Sequence, residues 1–123
     1  RRRLAARRRV VPSLLYAGGL GAGGSTAPPE VPAAADGSVD QVLLEGREIW
    51  GDQCSRCHGS DGGGRSGPRL NGGRVIERYP EVADQVDLIV QGRGGMPAYR
   101  DRLSAAEIDA VVRYTREVLV DAG

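Results

Sequence analysis

Trp50-Gly51-Asp52-Gln53-Cys54-Ser55-Arg56-Cys57-His58 ends in the pentapeptide C-x-x-C-H, and that pentapeptide governs how the rest of the chain is read. Cys54 and Cys57 are the only cysteines among 123 residues, and His58 is the only histidine. A redox dithiol of C-x-x-C type belongs to a βαβ setting, and no alternating apolar run long enough for a strand occurs here. A zinc site needs further cysteine or histidine ligands at matching spacing, and the chain has none left to offer. A disulfide between Cys54 and Cys57 suits an exported protein but gives the adjacent His58 no part to play.

Covalent attachment of one haem c accounts for all three residues. Two thiols separated by two residues can each add to one of two neighbouring vinyl groups on the same haem edge. The next residue, His58, then falls beneath the iron as an axial ligand.

Working outward, the flanking sequence predicts helices. Ser38 and Gln41 form an S-x-x-Q capping box. Val39, Val42, Leu43, Gly46, Ile49 and Trp50 follow at three- and four-residue spacing, one apolar stripe on a helix that runs to about Gln53. Residues 59–74 hold seven glycines and read as a loop. Pro80 suits a helix start, Val82, Val86, Ile89 and Val90 give a second helix over 81–91 its apolar side, and Gly92 stops it. Ser104 and Glu107 make an S-x-x-E box before a final helix striped by Ile108, Val111, Val112, Thr115, Val118 and Leu119. The domain reads as all-α, with three to four helices.

With these residues in place, the chain resembles the class I c-type cytochrome family, in particular its small bacterial monohaem members, over residues 38–123. The resemblance implies a cytochrome c-like fold wrapped around one covalently bound haem. It also implies that a methionine followed by proline supplies the second axial ligand. Exclusion leads to the same residue. There is no second histidine, no lysine and no third cysteine, and Met96 is the only methionine. It sits in Gly94-Gly95-Met96-Pro97, 38 positions after His58; the alternative is a core methionine filling a gap. A thioether opposite an imidazole favours Fe(II) and raises the potential. In the family a proline at the place of Pro68 turns its carbonyl toward the haem histidine, although Pro68 also reads as an ordinary loop proline. Leu70 is expected to pack on the haem. Gly46 and Trp50 look like the family's glycine and aromatic at a helix crossing, with Val111 and Tyr114 as their partners. Tyr99 either lines the pocket or lies on the surface. Arg69, Arg74 and Arg93 are solvated charges or partners of the haem propionates.

The ends of the chain differ in composition. Arg1 to Arg9 contain six arginines, Val10 to Gly24 carry no charge, and Ser25-Thr26-Ala27 is small and A-x-A-like. Basic start, apolar middle and small-residue end make residues 1–27 a signal peptide or membrane-targeting segment. The apolar part, about 15 residues with five glycines, is shorter than the ~20 a membrane span needs. Residues 28–37 read as a Pro/Ala-rich linker. From Asp36 onward 11 arginines face 15 acidic residues, so the domain is acidic although the whole chain is +1. That argues against a nucleic-acid partner, which calls for a basic folded part.

The reading that follows is an electron carrier, not an enzyme. It would be periplasmic or otherwise extracytoplasmic, diffusible or tethered to the membrane by its N-terminal segment, and a monomer or a subunit of a complex. It would pass electrons within a respiratory chain, from a reductase or dehydrogenase to an oxidase or other acceptor. Two alternatives stand beside it: an electron-accepting subunit of a dehydrogenase or oxidase complex, and a haem-based sensor or ligand-binding domain from which Met96 is absent or displaced.

Overall fold

The computed structural model describes residues 27–123; the signal-like segment lies outside the described residues, apart from its last position. The elements are α1 (Gln41–Ile49), a π-helical turn (Trp50–Cys54), α2 (Ser55–His58), α3 (Arg74–Arg78), α4 (Val82–Gln91), α5 (Ala105–Glu117) and a closing 3-10 turn (Leu119–Asp121). Among the described residues there is no strand, only an isolated bridge between Arg93 and Met96. The protein is all-α, and no helix among the described residues is long and apolar enough to cross a membrane.

The first helix departs from the sequence expectation at both ends. Its N-cap is Asp40, whose carboxylate accepts from the backbone N–H of Val42 and Leu43. Ser38 instead donates its hydroxyl to Asp36 at 2.6 Å, and Gln41 turns its amide back to Val39 O. Asp40 wins because its carboxylate also receives Arg113 from α5, at 2.9 Å. At the other end the helix does not stop near Gln53. It widens into the π turn, in which Ser55 N–H reaches back to Trp50 O, and continues as α2 through the C-x-x-C-H residues. The extra residue in that turn rotates Cys54 to His58 relative to the Leu43–Ile49 face.

α1 and α5 meet face to face and form the core. A Cβ built on Gly46 would collide with Ala110 O and lie 2.9 Å from Tyr114 Cβ, so only glycine allows this approach. Trp50 and Tyr114 fill the side of the crossing with rings 6.3 Å apart, both fully buried. α5 carries the expected Ser104/Glu107 capping box, and Ile108, Val111, Val112 and Thr115 of the expected stripe are buried on it; Val118 and Leu119, also buried, lie at its C-cap and in the 3-10 turn beyond.

Residues 28–37 form no helix or strand, yet their first positions are bound to the crossing. Arg47 donates to Pro28 O and Pro29 O, Tyr114 donates its hydroxyl to Pro29 O at 2.6 Å, and Val31 is buried in the core. α4 differs from its expected stripe: Val82 is exposed, whereas the polar Gln85 is buried. The expected loop 59–74 is a loop up to Gly73, where α3 begins.

Candidate functional site

Beside the crossing, the helices and loops form a cavity of about 780 Å³, within the ~300–1,000 Å³ usual for ligand and cofactor sites. Every candidate residue from the sequence lines it. Trp50, Cys54, Cys57 and His58 form one wall, and Gly67, Pro68 and Leu70 lie beneath His58. α4 contributes Gln85, Leu88 and Ile89, and α5 contributes Val111 and Thr115. Met96, Pro97 and Tyr99 come from the loop after α4.

His58 is held by geometry that settles its proton. Its Nδ1 lies 2.8 Å from Pro68 O. A carbonyl only accepts, so Nδ1 is the donor, and in the neutral ring this leaves Nε2 as the nitrogen with the lone pair. The glycine-rich loop makes this possible by doubling back: Gly64 N–H donates to His58 O and Gly67 N–H to Cys57 O. A side chain at Gly67 would sit 2.9 Å from His58 Cε1, so the loop presses backbone directly against the imidazole. The Trp50 ring stands 6.0 Å from the imidazole on the core side, and its Nε1–H is satisfied by Ser60 O.

Met96 is presented by a tight turn. Arg93 and Met96 exchange both backbone hydrogen bonds around Gly94-Gly95, and Gly94 takes φ 58°, the positive value the first central residue of such a turn needs. Gly92 ends α4 at φ 72°, and a Cβ there would lie 2.7 Å from Met96 O and Ala98 N. The loop therefore folds flat against the helix end. Tyr99 is buried and anchors the loop by donating its hydroxyl to Gln53 O at 2.9 Å. Burial, reinforced by the nearby Cys54, raises its pKa.

Burial pushes the Cys54 thiol up to about 12, with Cys57 adding to the effect. A thiol so placed is neutral at ordinary pH, unlike the low-pKa thiolate of a reactive dithiol. Among the described residues no group of three or more His, Cys, Asp or Glu is arranged to hold a metal ion by itself. The donor set fits a haem: two thiols on one wall, an imidazole beside them with Nδ1 committed to Pro68 O, and a lone thioether lining the same cavity from an independent loop.

Charge is divided unevenly about the cavity. Residues 54–78 and 92–103 carry eight arginines against Asp61, Glu77 and Asp101, whereas the remaining described residues carry three arginines against 13 acids. Arg69, Arg74, Arg78 and Arg93 line the cavity. Arg69 donates to Asn71 and Arg93 to Tyr79. Sequence reasoning missed Gly67, Tyr79 and the buried Gln85. The signal for Gln85 was a polar residue three positions after Val82 and four before Ile89, at the register of an apolar stripe.

The comparisons agree with this fold. The model of the family described as cytochrome c oxidase, cbb3-type, subunit III, matches residues 41–114. A chloroplastic cytochrome c6 of Chlamydomonas reinhardtii is 32% identical over 96 residues, covering 72% of this chain; the chain spans 62% of that protein's length. Cytochrome c6 of Leptolyngbya boryana is 33% identical over 76 residues, covering 56% of this chain and 84% of the relative. Among solved structures, cytochrome c6C from Synechococcus sp. PCC 7002 superposes with a TM-score of 0.55 at 33% identity, over 64% of this chain and 99% of the other.

Proposed function

Because the chain belongs to the cytochrome c family, as a small class I monohaem member that carries covalent haem c and transfers electrons, we propose that Cys54 and Cys57 bind the haem through thioethers and that His58 and Met96 ligate its iron. The observation that carries this reading is the position of His58 and Met96 on one cavity, with Nδ1 of the histidine committed to Pro68 O. When bound, haem supplies an iron that exchanges one electron between Fe(II) and Fe(III).

The residues of the chain do the rest. Pro68 O holds the imidazole in one tautomer and raises its basicity toward a metal. Leu70, Val111 and Ile89 supply an apolar surround that excludes water. Holding the iron through both His58 and Met96, the chain would leave no open position for oxygen chemistry. The exposed Cys57 marks the edge at which electrons pass to and from partner redox proteins, a reductase or dehydrogenase on one side and an oxidase or other acceptor on the other. The signal-like residues 1–27 support action outside the cytoplasm, as a carrier of the cell envelope. A second reading, an electron-accepting subunit of an oxidase complex, is favoured by the description of the matching family model; co-purification with a larger redox complex would establish it over the free carrier.

The test is the intact mass and visible spectrum of protein made with the haem-attachment machinery present. A mass gain of one haem is expected, together with the weak far-red absorption that Fe–S(Met) bonding gives the oxidised state. Met96→Ala keeps the haem mass, loses that band, lowers the potential and admits carbon monoxide. A variant whose spectrum and potential match the parent would remove Met96 from the iron.

A further inference from the structure

Gln85 and Thr115 are each only 3% exposed, and both line the cavity. Polar side chains in such a wall cost free energy unless every group is paired, and these are paired in a chain. Thr115 Oγ1 donates to Val112 O at 2.7 Å, and Gln85 Nε2 donates to Thr115 Oγ1 at 2.8 Å. Gln85 Oε1 in turn accepts from Arg116 at 3.1 Å. The chain thus ends on a guanidinium one side chain behind the wall.

Arg116 is bound by neutral oxygens. Besides Gln85 it donates to Tyr79 O at 2.7 Å and Pro80 O at 3.0 Å. Among the described residues none of the salt bridges includes it, in contrast to Arg47 and Arg113. Asp109 and Glu117 line a hollow together with it, and Glu117 is engaged by Arg113. A guanidinium stays charged at every accessible pH. Its field therefore acts on the cavity as a constant.

We propose that Arg116, held in place by Gln85, is a positioning and electrostatic residue that raises the reduction potential of the haem from behind the cavity wall. The inference rests on the haem reading above. Oxidation adds one positive charge to the iron, and a fixed positive charge nearby opposes it. At an effective dielectric of about 20, a unit charge about 10 Å away changes the equilibrium by about tenfold. For a one-electron couple, tenfold corresponds to about 59 mV.

The experiment is potentiometric titration of the haem-loaded protein, with thermal unfolding recorded on the same samples. Arg116→Gln is expected to raise the Fe(III)/Fe(II) ratio at a fixed poise by about tenfold while the far-red band persists. Arg116→Lys keeps the charge, so the ratio stays near the parent value although lost hydrogen bonds lower the unfolding temperature. Gln85→Leu lowers the unfolding temperature and shifts the ratio less than Arg116→Gln. The proposal is overturned by a parent-like potential in Arg116→Gln, or by an equal shift in Arg116→Lys, which would make the effect one of packing. A parent protein that gains no haem mass overturns the haem reading itself, and this outcome is recognisable before any variant is made.

Discussion

Gly46 and Gly67 show how much of the site rests on side chains that are missing. At Gly46 the obstacle to a Cβ is the backbone of Ala110, which cannot swing aside. Gly46→Ala is therefore expected to destabilise the haem-loaded protein by about 3 kcal/mol, at the upper end of overpacking costs, with the spectrum unchanged in whatever fraction folds; denaturant titration measures it. At Gly67 the obstacle is the His58 ring, with Cε1 at 2.9 Å and Nδ1 at 3.0 Å. Gly67→Ala moves the imidazole off Pro68 O, so its expected signature is spectroscopic as well as thermodynamic: about 1–3 kcal/mol of stability together with a shifted potential. The motif residues were legible because their chemistry demands fixed spacing. Gly67 was not, because nothing local separates a glycine that bends a loop from one that admits a ring.

The elements divide in the same way. The Ser104/Glu107 box was readable because both partners lie within one turn, and Ser104→Ala is expected to cost about 1 kcal/mol, seen as a lower denaturation midpoint. The cap of α1 was misread because Asp40 is chosen by Arg113, 73 positions away. The π turn was invisible because a single inserted residue leaves the apolar spacing before it intact. Asp40 has a pH consequence. Its hydrogen bond from Arg113, then that from Leu43 N–H, holds its carboxyl below the ordinary value, and Arg113 does the same to Glu117. Both groups are depressed on folding, so their contribution is complete above the ordinary carboxylate range near pH 4 and is lost as pH falls through the lowered values. Unfolding midpoints measured from pH 6 down to about pH 2 should fall, and Arg113→Ala should flatten that fall. Both partners are half-exposed, which keeps the effect modest.

For the molecule as a whole, Arg69, Arg74, Arg78 and Arg93 line the haem cavity against the single acid Glu77, a local excess that the near-neutral total hides. Anionic inorganic oxidants should therefore react faster than cationic ones of similar driving force, and the difference should shrink as salt is added; stopped-flow rates at two ionic strengths decide it. The fold class followed from periodicity, but this local excess did not, because it arises only when distant segments meet. The crossing of first and last helices has its own consequence for biogenesis. Tyr114 reaches Pro29 across 85 positions, and Arg113 reaches Asp40 across 73. Until α5 docks on α1 there is nothing behind the cavity to shut it, and both thiols stay within reach of whatever modifies them; these distant contacts fasten the door.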